Sequence, residues 1–329
     1  MMRAGFIGYR NFAGRLAGLF RDSGRVEDIL FYHPEKALEE VAHTKDLADL
    51  YGCDFIVIAS PDGTHGEYLK RLADYGGHVF CEKVPVTNRD DLGFLKSNRS
   101  PRLYFDFNLR KSVLLDILTQ KEERTLHVGH RMGHGLALKP EYAGGWRSSA
   151  RLAPLGVFQL SGIHMFDLLT YCFGRPLSCR VSHRNVSPYG DSIDNFSAAL
   201  AFEGGPAADM FFSYTSPFQY RFDVTTTEEL IGYDGRELAV RGPRETFDKN
   251  GRFGEPPVTA RTTVDIFGDS LEASVNYFLS VAASGGVFEE SSTERDLLST
   301  ELFLEILDAC GRVPRGGEHV IPDETLKQR

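Results

Sequence analysis

The sequence predicts an α/β protein in which an amino-terminal doubly wound parallel sheet is followed by an α+β domain with a large, mostly antiparallel sheet. Two observations carry this. From Arg3 to about Arg110 short apolar runs alternate with amphipathic stretches: "AGFIGY", Asn11 to Asp22, "ILFYH", "CDFIVIAS", "EYLKRLADYG", "HVFCEK" and "RLYFDFN". Strand and helix patterns in alternation imply β-α-β units and a parallel sheet. From Cys179 to Val240 the candidates are strands only, "CRVSHRNV", "NFSAALAF", "AADMFFSYT", "YRFDVTTT" and "RELAVRG", with Gly-rich turns such as "EGGP" and "DGR" between them. That is the pattern of an antiparallel meander. Helical stretches from His164 to Phe173, Ser270 to Ser284 and Glu294 to Cys310 frame the second sheet. The boundary falls where the architecture changes, giving domains 1–112 and 113–329, in keeping with about two domains at roughly 150 residues each.

Composition narrows the function. The chain has 329 residues and a net charge of -9 without a basic block, which argues against nucleic acid or an anionic membrane as partner. No signal-like apolar segment or membrane-length run is present, so a cytoplasmic protein is expected. The five cysteines are odd in number and never spaced as C-x-x-C; neither a disulfide framework nor a metal site is predicted.

The first chemistry lies in "GFIGYRNFAG", where Gly8 follows a strand and a helix runs on from Asn11. A glycine here permits the tight turn, and the helix amino terminus offers N–H groups and a positive dipole end to a pyrophosphate. Tyr9, Arg10, Asn11, Phe12 and Ala13 complete the candidate nucleotide turn. Arg10 stands at the second-glycine position of G-x-G-x-x-G/A, where backbone ordinarily meets phosphate directly; the alternative is a plain strand-to-helix turn. An acid is expected on the adenosine ribose about twenty residues later. The strand instead ends in His33, followed by Pro34, Glu35 and Lys36, so NAD and NADP both stay open and the balance tips toward NADP.

In "IASPDGTHGEYLKRL" a buried strand ends at Ser60 and Pro61, and His65 opens a helix. Small residues there let a flat cofactor lie against the backbone, or Thr64 merely caps the helix. In "HVFCEKVPVT" a strand ends in an adjacent acid and base, Glu82 and Lys83. Charged residues are rarely buried unless paired, so this strand end either reaches solvent or delivers both groups into a site.

Taken in order, "GFIGYRNFAG", "ASPDGTH", "HVFCEKVP", "FNLR" and "GWRSSARLAPLGVFQLSGIHMFD" resemble the family of glucose-fructose oxidoreductase, inositol dehydrogenase and rhizopine-catabolism (MocA) proteins, over nearly the whole chain. The resemblance implies a Rossmann domain followed by a substrate and oligomerisation domain. It also implies hydride transfer between NAD or NADP and a hydroxyl or keto group of a carbohydrate or sugar nucleotide. Lys83 then holds or polarises the reacting hydroxyl, and Glu82 supports its loop. His164 serves as acid or base, a role that suits imidazole. Ser60, Pro61, Thr64, His65 and Asn108 fall near the cofactor; Arg110, Trp146, Arg147 and Gln159 near the substrate. Three positions depart from the pattern: Arg10, Val84 in place of the proline of Glu-Lys-Pro, and Leu160 where an aspartate usually stands four residues before the histidine. These departures keep a second reading open, a non-catalytic dinucleotide- or sugar-binding relative. The later strands resemble the family's sheet and predict an uncovered apolar face that finds a partner in a dimer or tetramer.

Overall fold

The structure, a computed structural model, describes residues 1–9, 12–36, 38, 41–243, 246–290, 294–311 and 316–321. Arg10 and Asn11 lie outside the described residues. Two compact units form, one from Met1–Lys111 with Ser270–Leu304, the other from Ser112–Asp269 with the chain from Glu305 on. The sequence reading divides the chain once, after residue 112; the units divide it after Lys111 and also give Ser270–Leu304 to the first.

In the first unit β1 (Met2–Ile7), α1 (Phe12–Asp22), β2 (Val26–Tyr32), β3 (His43–Thr44), β4 (Phe55–Ile58), α2 (His65–Arg71), β5 (His78–Glu82), α3 (Arg89–Ser97) and β6 (Leu103–Asp106) follow one another. The strands build a six-stranded sheet in the order β3-β2-β1-β4-β5-β6, and every pairing is parallel. Each residue of β4 and β5 is buried, as a parallel sheet covered on both faces requires. Strand order reverses between β1 and β4, so the carboxyl ends of β1, β4 and β5 open on the crevice where such sheets bind ligands.

Further on, α4 (Val113–Gln120) leads into β7 (Thr125–Gly133), α5 (Ile163–Phe173), β8 (Ser178–Arg184), β9 (Asn195–Ala201), β10 (Ala207–Ser213), β11 (Gln219–Thr226), β12 (Leu230–Tyr233), β13 (Glu237–Arg241), β14 (Val258–Thr263), α6 (Ile266–Ser284), α7 (Arg295–Cys310) and β15 (Gly316–Ile321). From Ser270 on, α6 belongs to the first unit. Its Leu271, Val275, Phe278 and Leu279 join Phe6, Phe20, Phe55 and Phe80 in one core, with Phe278 edge-on to Phe20, Phe55 and Phe80 at 5.3 to 6.0 Å. Helix α6, expected to frame the antiparallel sheet, thus completes the core of the parallel one. Its apolar residues specify burial but not against which sheet.

The second sheet has nine strands in the order β14-β13-β12-β11-β7-β10-β9-β8-β15. All neighbours are antiparallel except β7 and β10. The sequence reading starts this sheet at Cys179 and passes over β7, whose "TLHVGHRMG" alternates around histidines and an arginine instead of apolar residues. The expected apolar outer face is corrected as well. It carries Arg131, Arg180, Ser182, Ser197, Asp209 and Asp223 around a shallow cavity of about 430 Å³, and His127 Nε2 lies 2.9 Å from Asp209. Among the described residues, no helix is long and apolar enough to cross a membrane.

Candidate active site

Gly8 ends β1 at φ 109°. A Cβ there would sit 2.5 Å from the Ala59 carbonyl oxygen, so the turn needs glycine for its conformation and for the close approach of the β4 end. Helix α1 starts at Phe12 with no acidic residue in its first turn, leaving its positive end uncompensated by side chains, as an anion site requires. Ala13 is buried in its packing face, and Phe12 is exposed. Tyr9 and His33, from the ends of neighbouring strands, meet edge-on at 5.5 Å. The His33 Nδ1 accepts from the backbone N–H of Glu35 and Lys36, which fixes its ring over the end of β2.

At the β4 end, Thr64 does not cap α2. Its hydroxyl donates to the Pro61 carbonyl at 2.8 Å and lies 2.7 Å from Ser60 Oγ, which pins the small-residue turn to itself. His65, expected at the cofactor, is fully buried. Nδ1 lies 2.9 Å from the Val84 carbonyl oxygen and Nε2 2.8 Å from that of Ser60. One imidazole therefore ties the turn after β4 to the turn after β5.

The solvated acid–base pair that the sequence allows at the end of β5 is excluded. Glu82 is 7% exposed, and the adjacent Asp106 of β6 is 1% exposed; parallel register sets the two side by side. Ser274 Oγ donates to Asp106 Oδ1 at 2.5 Å and stands 2.8 Å from the Tyr104 hydroxyl. Burial, then the Asp106 charge, push the Glu82 carboxyl well above its ordinary range. Burial also raises Asp106, while hydrogen bonds from Ser274 and Glu82 and the Lys83 charge pull it back. Lys83 is half-buried beyond this pair, and its peptide bond to Val84 is cis.

Two residues of "FNLR" turn inward. The Asn108 amide donates to Ser270 Oγ at 2.8 Å. Arg110, expected at the substrate, is 4% exposed, held by Asp296 Oδ1 at 2.6 Å and stacked on Phe107. Its guanidinium is engaged with α7 through Asp296.

In the second unit, the Arg147 guanidinium lies 4.8 Å over the Trp146 ring, both half-buried. A single π turn, Phe158–Gly162, precedes α5 and fully buries Gln159. Gly162 serves packing: a Cβ would meet the Phe158 and Phe212 rings at 2.8 Å. His164, one residue into α5, is half-buried and edge-on to Phe267 at 5.7 Å. Phe267 in turn packs on Tyr220 at 5.4 Å, and Tyr220 on His130 at 5.6 Å. Among the described residues, both ring nitrogens of His130 and the Tyr220 hydroxyl are buried without a hydrogen-bond partner. A buried polar group left unsatisfied costs about 1–3 kcal/mol.

Burial depresses His130 from 6.5 to about 3. The unfolded chain therefore binds more protons than the fold between those values, and stability falls as pH drops through that window. The loss reaches at most about 1.4 kcal/mol per pH unit. His130→Phe is expected to flatten this slope in urea midpoints measured across the interval. An unchanged slope would show that another group drives the acid sensitivity.

Two family profiles match the chain: "Oxidoreductase family, NAD-binding Rossmann fold" over residues 2–92 and "GFO/IDH/MocA C-terminal domain" over residues 124–235. The chain belongs to the Gfo/Idh/MocA oxidoreductase family. A scyllo-inositol 2-dehydrogenase (NAD(+)) of Bacillus subtilis is 25% identical over 197 residues, 56% of this chain and 54% of that protein, so the match spans about half of the relative's length. The fold is shared with an oxidoreductase of Desulfitobacterium hafniense described as NADPH-dependent (TM-score 0.74, 18% identity, 96% and 97% of the two chains). It is shared too with levoglucosan dehydrogenase in complex with NADH (TM-score 0.75, 16% identity, 98% and 99%).

Within this Gfo/Idh/MocA chain, each unit gathers its own set of groups. The first holds Gly8, Tyr9, Ser60, Thr64, Glu82 and Lys83 at strand ends, and the second holds Trp146, Arg147, Gln159 and His164. Sequence reasoning missed Asp106, His130 and Tyr220. A carboxylate closing "LYFD" opposite Glu82 was the one available signal; nothing in sequence marks His130 or Tyr220. No metal site was predicted, yet the ligand atoms of His183, Cys310 and His319 lie within 4.8 Å of one another. The two rings stack nearly parallel, 14° apart at 5.4 Å.

Proposed function

We propose that this chain is an NAD(P)-dependent oxidoreductase acting on a hydroxyl or keto group of a carbohydrate or sugar nucleotide. The observation that carries this reading is a half-buried lysine, Lys83, at the carboxyl end of a central parallel strand, on the same sheet edge as the Gly8 turn. The residues fit a dinucleotide: a Cβ-free turn, a helix end without acid, and a small-residue turn at Ser60 and Pro61. When bound, its nicotinamide supplies the hydride acceptor or donor. Lys83 holds the reacting oxygen by its ammonium donors, and His164 serves as the second acid–base group. The buried polar atoms of His130 and Tyr220 suit a polyhydroxylated ligand, which offers a donor or acceptor on every carbon. Trp146 under Arg147 suits a sugar face next to an anionic substituent.

NADPH is placed ahead of NADH because β2 ends at Tyr32, followed by His33 instead of an acid, and Lys36, beside Glu35, is exposed. Titration of the purified protein with each, read by nicotinamide fluorescence, tests this. NADPH is expected to bind at least about tenfold more tightly, a difference of about 1.4 kcal/mol. Tighter NADH would reverse the cofactor assignment, and binding of neither at millimolar concentration would overturn the reading. All five cysteines are buried free thiols, which favours a reducing, cytoplasmic setting. A homo-oligomer through the polar outer sheet face completes the proposal; light scattering that reports a monomer would remove it.

A further inference from the structure

Glu82 and Asp106 end adjacent parallel strands, and neighbouring strands are about 4.8 Å apart. Two carboxyl groups that close, both buried, do not ionise together, because each charge destabilises the other where water cannot screen it. The surrounding donors decide which one keeps the charge. Ser274 Oγ gives its only proton to Asp106, so the hydroxyl contact between Ser274 and Tyr104 must be donated by Tyr104. Asp106 is thus the acceptor at the end of a chain of two aligned hydroxyls. Among the described residues no such hydroxyl donor reaches the Glu82 carboxyl; its hydrogen bond is to Asp106 itself. The other groups acting on the pair are Lys83, Asp62 and the Cys81 thiol, and of these only Lys83 is a cation.

We propose that Glu82 and Asp106 hold one proton between them at neutral pH, with Glu82 the acid and Asp106 the anion, so that a single negative charge lies beneath the single positive charge of Lys83. The adjacent acid and base in the sequence are then not an ion pair. The anion that balances the lysine comes from the next strand, through an aspartate in "LYFD". Asp106 is a positioning residue: it acts on the reaction through Lys83. That catalytic part rests on the role proposed for Lys83, whereas the shared proton does not. Burial, before any neighbouring charge, pushes the Cys81 thiol up, so this thiol stays neutral and adds no further anion beside the pair.

Infrared spectroscopy of the wild-type protein at neutral pH tests the proton directly. The carbonyl stretch of one protonated carboxylic acid is expected, shifting on transfer to D2O and missing from Glu82→Gln. A wild type without that band, or a Glu82→Gln protein that keeps it, would overturn the proposal. The positioning role is read separately, in Asp106→Asn. Because Glu82 can ionise once the Asp106 charge is gone, the variant is combined with Glu82→Gln; with no anion left in the pair the protonated form of the site is disfavoured, and the alkaline limb of the kcat/KM profile is expected to move to lower pH relative to Glu82→Gln alone, with dinucleotide binding kept. A double variant with the profile of Glu82→Gln alone would overturn that role. If the band is present and Lys83 variants turn over normally, the shared proton stands and the assignment of Lys83 falls.

Discussion

Lys83→Ala is expected to lower turnover on the order of 10²- to 10⁴-fold, the range for loss of a positioned acid–base group, while the affinity for the dinucleotide changes little. The expectation follows from where the lysine sits. Glu82, Val84 and Pro85 around it are buried, and His65 holds the Val84 carbonyl, so truncating a half-buried side chain leaves the turn in place. The dinucleotide contacts proposed above lie elsewhere, at the Gly8 turn and the Ser60–Thr64 turn. The same residue tests proton transfer apart from charge: Lys83→Arg keeps a cation but not one that gives up its proton at working pH. Steady-state rates with a turned-over sugar, together with fluorescence titration, separate the outcomes. Arginine restoring full turnover would make the lysine an electrostatic holder only. Alanine matching wild type would remove Lys83 from the mechanism.

The first sheet was legible because its determinants are local. Apolar runs such as "FIVI" and "HVFCE" are continuous, their spacing leaves room for one helix between strands, and the glycine at the first turn is compelled by a contact that only a doubly wound order creates. The second sheet was less legible because its central strand, β7, draws its burial from partners that come later in the chain: Phe222 opposite His130, and Met210 on the other side. A histidine in a strand reads as polar until those neighbours are known. Helices α6 and α7 fail for a related reason, since periodicity shows an apolar face but not its partner. At the candidate site, residues that neighbours in sequence mark out, Gly8 and Lys83, were legible as candidates. Those marked out only by register or packing, Asp106, His130 and Tyr220, were not. Arg110 and His65 were assigned to ligands because a buried ion pair and a backbone tie look the same in sequence as a binding group.

Gly8→Ala is expected to weaken both the fold and dinucleotide binding, and the two losses have separable origins. A residue with a side chain at a left-handed φ costs about 1–2 kcal/mol. The added methyl also overlaps backbone: the Ala59 carbonyl oxygen at 2.5 Å, its carbon at 2.7 Å and the Ser60 nitrogen at 2.9 Å. That segment cannot yield cheaply, because the Ala59 N–H donates to the Ile7 carbonyl at 2.9 Å and thereby holds β4 against β1. Overpacking of this kind costs typically a further ~1–3 kcal/mol. Gly24 supplies the comparison, with φ 68° and nothing within 4 Å of its would-be Cβ. Gly24→Ala is expected to show the conformational loss alone. Urea midpoints of the two variants therefore isolate the steric part, and each 1.4 kcal/mol transmitted to the turn appears as about tenfold in dinucleotide affinity. Equal stability losses in the two variants would show that the β1 turn relaxes around the methyl. A Gly8→Ala protein that loses stability but binds NADPH and NADH as wild type does would place the pyrophosphate away from this turn, and with it the whole cofactor assignment.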